Sequence, residues 1–255
     1  MIAAAGTGAG DLLLAVAGLA AGTINGVAGG GTLASFPALL ATGLPALRAN
    51  ITSTVGIWPG YLGGVAGFRK EIGDQPRRAA RYSVPAFLGA LAGAVLLLVT
   101  PSNTFSLVVP YLVLLAAGLF AIQPVLAKAL QRHGREHPER RTAAWVGTMA
   151  GAVYGGYFGA GLGVMLLALL GLVLPDSLVR TNGLRSLLSL VVNTGALLVF
   201  LTHGQVAWAD AGVLAGCSLV GGYGGARVAR RLPPVVFRVL VIALGLATGI
   251  KLLVG

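Results

Sequence analysis

The chain has 255 residues, of which 56% are hydrophobic and only 10% are charged, and its mean hydropathy is +0.87. A soluble domain carries about 25% charged residues, so this composition excludes an ordinary soluble domain. The apolar runs are too long for the alternating strands of a transmembrane barrel, which leaves membrane helices. The formal net charge of +11 does not indicate a nucleic-acid partner, because the basic residues cluster between apolar runs, as in loops that face anionic lipid.

Two of the apolar stretches contain a glycine-rich break, and the others have the length of single membrane helices. The first break is Gly22–Thr32 and the second is Gly151–Gly161. In chain order the stretches are 12–43 with its break, 51–68, 82–99, 105–127, 143–174 with its break, 183–202, 209–226 and 235–254. The arms of the broken stretches, about 14 residues each, are too short to cross alone comfortably. Each broken stretch is therefore predicted to be a re-entrant hairpin or two short tilted helices.

The chain repeats itself with an offset that drifts from 129 to 132 residues. The repeat predicts a first membrane repeat over 1–127, a basic cytoplasmic linker over 128–141 and a second membrane repeat over 142–255. The matched pairs are Gly22 with Gly151, Gly26 with Gly155, Asn50 with Asn182, Phe68 with Phe200, Gly89 with Gly221, Pro101 with Pro233 and Phe105 with Phe237.

The charge of the loops orients the two repeats. Loops 69–81, 128–141 and 227–238 are rich in Arg and Lys, which predicts that they are cytoplasmic in a multi-pass protein of the plasma (inner) membrane. Turns 100–104 and 203–208 lack Arg and Lys and are predicted to lie outside. Equivalent loops then fall on opposite sides, so each broken stretch must return to the side from which it entered. The predicted fold class is an all-α polytopic membrane helix bundle, built from two inverted-topology repeats with re-entrant or broken Gly-rich helices.

Three motifs follow one another along the chain. Residues 25–33 read NGVAGGGTL and are followed by Phe36-Pro37, residues 49–54 read ANITST, and residues 221–227 read GGYGGAR and lead into Arg230–Pro233. Together they resemble the sulfite exporter TauE/SafE family, also called the TSUP permeases. The resemblance covers essentially the whole chain, although the second half has Gly159-Ala160-Gly161 in place of a triple glycine. It implies a permease for small anions, typically sulfur oxyanions or organosulfonates such as sulfite or sulfoacetate.

A re-entrant break directs unsatisfied helix N-terminal N–H groups towards the centre of the bilayer, and glycines let a ligand approach them. Polar residues near the breaks and at the starts of the following helices complete the candidate site. The candidate substrate-binding residues are Asn25, Gly29, Gly30, Gly31, Thr32, Asn50, Ser53, Thr54, Tyr154, Tyr157, Gly159, Gly161, Asn182, Arg185, Ser186 and Asn193. The alternative reading is that the glycines allow close helix packing and that the polar residues cap helices or bond between them.

Arg185 is the sharpest single candidate, because it lies just inside an apolar run and a central Arg costs roughly 2.5–3.5 kcal/mol on insertion scales. If it faces a cavity, its guanidinium suits a bidentate oxyanion. The alternative is that its side chain extends to the cytoplasmic interface. The interiors of the predicted spans contain no Asp or Glu, so a carboxylate proton relay is not expected.

The sequence predicts a secondary permease that alternates access around a site between the two breaks. The open alternatives are a passive anion channel and a non-transporting membrane partner subunit. A membrane-embedded enzyme is not expected, because the spans lack a nucleophile–base pair. Neither a cofactor nor a metal site is expected. The expected partners are a small anionic substrate and the lipid bilayer, with a homodimer left open and no nucleic acid.

Overall fold

The computed structural model describes residues 8–27, 29–133, 139–228 and 234–254, and the regular structure in these ranges is α-helical. An all-α membrane helix bundle is therefore confirmed. The helices are α1 (Gly8–Val27), α2 (Thr32–Ala41), α3 (Ala46–Gly67), α4 (Arg69–Gly73), α5 (Pro76–Val99), α6 (Ser102–His133), α7 (Arg141–Tyr157), α8 (Leu162–Val173), α9 (Leu178–His203), α10 (Trp208–Val228) and α11 (Pro234–Val254).

Among the described residues, four helical segments are long and apolar enough to cross a membrane by length and composition, and α2 and α8 are shorter apolar helices. The four segments are Gly8–Gly26, Pro76–Val99, Ser102–Ala129 and Leu178–His203. Helix α6 continues to His133, so the first residues of the predicted linker 128–141 extend a membrane helix. Residues 134–138 of that linker and residues 229–233 of the predicted loop 227–238 lie outside the described residues.

The breaks are shorter than the sequence predicts, and the arms on either side are unequal. Helix α1 has 20 residues and α2 has 10, while α7 has 17 and α8 has 12, so the expectation of equal arms of about 14 residues was wrong. The early glycines of each predicted break, such as Gly22 and Gly156, lie within helices. Their lack of a side chain allows another helix to pack closely there. A Cβ added to Gly22 would lie 2.1 Å from the carbonyl oxygen of Ser218, and one added to Gly156 would lie 2.3 Å from that of Ala90.

One end of the bundle is held together by ion pairs between three loops. The Arg78 guanidinium contacts Glu139 at 3.0 Å and also pairs with Asp176, and Arg180 contacts Asp176 at 3.3 Å. Burial works against ionisation of Glu139, but hydrogen bonds from Arg78 and Tyr82 outweigh it and lower the pKa of the carboxyl. The backbone N–H of Arg140 also donates to the carbonyl of Val173. The second broken segment, α7 and α8, therefore begins and ends beside loop 69–81.

The opposite end gathers the two ends of the first broken segment. Asp210, at the start of α10, interacts electrostatically with Asp11 of α1 and with Arg48 of α3. The hydroxyl of Thr52, near the start of α3, accepts a hydrogen bond of 3.0 Å from the N–H of Ala207. Since loop 69–81 follows the far end of α3, the two broken segments start from opposite ends of the bundle and each returns to its own end. The broken helices therefore return to their own ends, as the sequence predicts.

The two repeats exchange helices in space. In one group of helices α10 packs against α1 and α3, and in the other α5 packs against α7 and α9. By the sequence repeat, α10 corresponds to α5, so each repeat contributes one helix to the group built on the other. The groups meet mainly where α3 crosses α9 and where α6 packs on α11. These two groups are called bundle A, with α1–α3, α10 and α11, and bundle B, with α5–α9.

The ion-pair network gives a first prediction. Replacing Arg78 with alanine leaves Glu139 and Asp176 without their shared cation, so we expect the unfolding free energy to fall by about 1–3 kcal/mol. Thermal unfolding of the detergent-solubilised protein measures this. Arg77→Ala is the matched control, because Arg77 is exposed and none of the ion pairs in the described residues includes it. Equal melting temperatures for the two variants would show that the network adds no stability.

Candidate functional site

The two breaks end their first helices in the same way. Gly29 follows α1 with a φ of 70°, and Gly159, at the equivalent point after α7, has a φ of 79°. The N–H of Gly29 donates to the carbonyl of Ile24 at 2.9 Å, and the N–H of Gly159 donates to that of Tyr154 at 3.4 Å. Positive φ and a bond to the residue five positions earlier are typical of a glycine that terminates a helix. We call residues 29–31 tip 1 and residues 158–161 tip 2.

Each tip touches the second helix of the other broken segment. The N–H of Gly163, in the first turn of α8, donates a hydrogen bond of 3.1 Å to the carbonyl of Gly29. Phe36 of α2 and Phe158 of tip 2 pack edge to face, with their ring centroids 5.6 Å apart. The sequence reading placed the substrate between the two breaks. In this conformation, backbone and aromatic contacts hold the two broken segments together at their tips.

A side chain from the preceding helix closes each tip. The Asn25 side-chain oxygen accepts hydrogen bonds from the N–H groups of Gly30 at 3.1 Å and of Gly31 at 2.7 Å. At the equivalent position of the second repeat, the Tyr154 hydroxyl donates to the carbonyl of Ala160 at 2.6 Å. Two of the N–H groups that the sequence reading offered to an anion therefore already have a partner in Asn25.

Arg185 is buried against tip 1. Its side chain is 1% exposed, and a Cβ added to Gly29 would lie 2.6 Å from Arg185 Nη1. The guanidinium thus lies in the interior. The alternative reading, in which the side chain extends to the cytoplasmic interface, does not describe this structure. Within the described residues it is the only Lys, Arg, Asp or Glu side chain that is buried. A positive charge in such a poorly hydrated place attracts an anion far more strongly than it would in water.

Arg185 is part of a group of polar side chains that we call the Arg185 cluster: Asn25, Tyr61, Arg185, Ser186 and Asn193. All five are at least 95% buried. Tyr61 of α3 interacts with the side chains of Asn25, Asn193 and Arg185, and a Cβ on Gly64 would lie 2.9 Å from the Ser186 hydroxyl. The Asn193 amide donates to the carbonyl of Ser189, one turn earlier in α9. The cluster joins α1 and α3 of bundle A to α9 of bundle B.

Tyr61 is the member of this cluster that the sequence reading missed. Its signal was present in the repeat, because the offset of 132 that pairs Asn50 with Asn182 also pairs Tyr61 with Asn193. A tyrosine in an apolar helix has an ordinary role in packing or at the membrane interface, which gave no reason to select it. Its relation to Asn193 becomes visible only when α3 and α9 cross.

A second, uncharged group lies where α2 and α3 meet the end of α7. The Asn50 amide donates to the carbonyl of Tyr157 at 2.9 Å, and the hydroxyls of Ser35 and Ser53 are 2.6 Å apart. Thr54 donates to the carbonyl of Asn50, within α3. By the repeat, Ser53 stands where the second half has Arg185. The structure therefore divides the predicted site residues into a cationic group around Arg185 and a neutral group around Asn50 and Ser53.

The remaining predicted residues have local roles. The half-buried amide of Asn182 donates to the carbonyl of Leu178 within α9, apart from the Arg185 cluster. A Cβ on Gly30 would lie 2.2 Å from the Phe120 ring, and a Cβ on Gly31 would lie 2.4 Å from the carbonyl of Ala21. Gly161 has a φ of 73° and lies beside Ala116, and the Thr32 hydroxyl faces Gly159. These glycines serve close packing of the tips.

Comparisons with known proteins agree with this architecture. Residues 14–252 match the family described as sulfite exporter TauE/SafE. The probable membrane transporter protein YfcA of Escherichia coli K12 is 29% identical over 221 residues, which cover 83% of this chain and 76% of that protein. The probable membrane transporter protein ORF9 of a Sinorhizobium species is 26% identical over 241 residues, covering 94% of this chain and 91% of its own. A probable membrane transporter protein of Haemophilus influenzae is 27% identical. No solved structure matches the chain.

Proposed function

The chain belongs to the sulfite exporter TauE/SafE family, and from this premise we infer that it is a secondary membrane permease for small anions. The substrate class we propose is sulfur oxyanions and organosulfonates, such as sulfite or sulfoacetate. The observation that carries the proposal is the burial of Arg185 against tip 1, among uncharged hydrogen-bonding side chains. A guanidinium presents a planar set of N–H donors that fits two oxygens of one anion.

Substrate binding fits the Arg185 cluster better than the junction of the tips. The junction is occupied by the bond from Gly163 to Gly29 and by the Phe36–Phe158 contact. The cluster has the only buried charge of the described residues, and it lies where the two bundles meet. We propose that the anion binds there, and that Asn50, Ser53 and Thr54 line its path on the other side of the tips.

Access would alternate by movement of bundle A against bundle B. The apolar contact between α3 and α9 also includes polar pairs, such as the hydrogen bond from the Trp58 indole to the Thr194 hydroxyl at 2.9 Å. Rocking of one bundle past the other around a fixed site is a common scheme in folds with inverted repeats. We propose that the end held by Arg78 is cytoplasmic in the plasma membrane, since loops 69–81 and 128–141 are rich in Arg and Lys.

Counterflow in proteoliposomes tests the proposal. Vesicles loaded with unlabelled sulfite, sulfoacetate or taurine are diluted into a trace of the same labelled compound. A permease is expected to accumulate the label transiently above equilibrium, with a rate that saturates as concentration rises. Uptake that follows the gradient without counterflow would identify a channel, and no flux above that of protein-free vesicles would contradict transport by this chain alone.

A further inference from the structure

We propose that Tyr61 is a substrate-contacting residue whose hydroxyl, with the amide N–H₂ of Asn25, completes the hydrogen-bond donors around an oxyanion held by Arg185. The inference rests on the proposed function, because it concerns the same site. It adds to that function a contact that the sequence did not single out, and it gives the Asn25 amide a defined second task.

The first observation is the position of Tyr61. Its side chain is 3% exposed in the middle of α3, and it interacts with Asn25 of α1 and with Arg185 and Asn193 of α9. One turn later in α3, a Cβ on Gly64 would lie 2.9 Å from the Ser186 hydroxyl and 3.6 Å from the Asn25 carbonyl oxygen, so this face of α3 packs against both helices. A tyrosine that only filled space would place its ring among apolar groups and its hydroxyl at a water interface. Here the hydroxyl lies in the interior, beside the buried cation.

The second observation is the orientation of the Asn25 amide. Its oxygen accepts from the N–H groups of Gly30 and Gly31, which fixes which end of the amide faces tip 1. The opposite end, Nδ2, is buried near the Tyr61 side chain but has no acceptor at hydrogen-bond distance and angle. Leaving a buried donor unpaired costs about 1–3 kcal/mol, so such a group calls for an acceptor. A bound anion supplies that acceptor beside Tyr61.

The chemistry of the three groups is complementary to one class of ligand. A tyrosine O–H, an amide N–H₂ and a guanidinium are all donors, and an oxyanion such as a sulfonate presents several acceptor oxygens. A single cation offsets one negative charge, and the neutral donors fix the positions of the oxygens. An anion with an oxygen within hydrogen-bond distance of the Tyr61 hydroxyl would then bind more tightly than an anion without one.

The repeat supports a central position for this contact. Tyr61 and Asn193 occupy equivalent places in the two halves, and their side chains meet. In a protein built from two inverted repeats, equivalent residues meet at the axis that relates the repeats, where such transporters bind their substrates. The contact of Tyr61 with Asn193 therefore places the cluster at the junction between the bundles.

The test compares Tyr61→Phe with the wild-type protein in counterflow of sulfite and methanesulfonate. We expect the KM of both oxyanions to rise by about 10- to 100-fold, as for a lost hydrogen bond to a charged group, while the maximal rate stays within about threefold. The melting temperature without anion should change little. Tyr111→Phe is the matched control, because the Tyr111 side chain is exposed on α6, and its KM should equal that of the wild type.

A second variant keeps the test decisive if Tyr61→Phe does not fold. Asn25→Asp retains an oxygen for the N–H groups of tip 1 but replaces the N–H₂ group with a carboxylate oxygen. Its negative charge near Arg185 also opposes an anion, so its KM should rise as well. An unchanged KM in a folded Tyr61→Phe protein, or in Asn25→Asp when the first variant is unfolded, would overturn the inference while leaving the permease intact. If the wild-type protein itself shows neither counterflow nor stabilisation by any of these anions, the proposed function fails, and this inference fails with it.

Discussion

Arg185→Gln is expected to lower the efficiency of anion transport by roughly 100-fold or more, which corresponds to about 3 kcal/mol of lost interaction. The buried guanidinium supplies the charge that draws an anion out of water, and glutamine offers only a neutral amide. Arg185→Lys should recover part of the loss, because it keeps the charge but not the planar set of donors. Initial rates of labelled sulfite uptake in proteoliposomes, measured over a range of concentrations, give the comparison.

Thermal unfolding separates a binding role from a structural one. In the absence of anion, the melting temperature of Arg185→Gln relative to that of the wild-type protein measures what the guanidinium contributes to the fold. Saturating sulfite should raise the melting temperature of the wild-type protein but not that of the variant. Arg180→Gln is the matched control on the same helix, since Arg180 is more exposed and pairs with Asp176. Transport that survives Arg185→Gln would place the substrate elsewhere.

The ends of the broken segments were predictable because their signal is local. Positive loops and a repeat offset can be read directly from the chain, and together they require each broken segment to return to its own end. The interactions of Asp11, Arg48 and Asp210 at one end, and the pairing of Arg78 with Glu139 at the other, confirm that arrangement. These groups are far apart in sequence, but loop charge and the repeat predict which of them share an end of the bundle.

The positions of the breaks were not predictable in the same way. Gly22 and Gly156 read as helix breakers, yet each is helical because a helix from the other repeat packs against it. The sequence gives no local sign that α10 joins α1 or that α5 joins α7, since that exchange depends on how the repeats interleave. The turn itself is set by Gly29 and by the Asn25 side chain, a contact over five and six residues that a glycine count does not reveal.

The candidate site was predictable only in part, for a related reason. Arg185 stood out because a charge inside an apolar run needs an explanation. Tyr61 did not, because its polar neighbours come from α1 and α9. The division into a cationic and a neutral group followed from neither motif, although the pairing of Ser53 with Arg185 in the repeat anticipates it. Asymmetry between matched positions is thus a better guide to the site than the glycines that the repeats share.

Gly29→Ala is expected to impair both stability and transport, because the contact between the tips leaves no room for a methyl group. A Cβ at Gly29 would lie 2.6 Å from Arg185 Nη1 and 2.8 Å from the Cα of Gly163. The φ of 70° adds a strain of roughly 1 kcal/mol, and overpacking adds about 1–3 kcal/mol. Displacing Arg185 from the cluster should reduce sulfite transport by at least about tenfold.

Gly43 provides the control that isolates the tip contact from backbone strain. It has a φ of 90° in the turn between α2 and α3, and a Cβ added there would meet nothing within 4 Å. Gly43→Ala should therefore lower the unfolding free energy only by the backbone strain, about 1 kcal/mol, and should transport normally. The difference in melting temperature between the two variants measures the packing at the tips, and their difference in KM shows whether that packing positions Arg185. If Gly29→Ala and Gly43→Ala have equal melting temperatures and equal KM values, the tips accommodate a methyl group, and the tip contact does not hold the guanidinium in place.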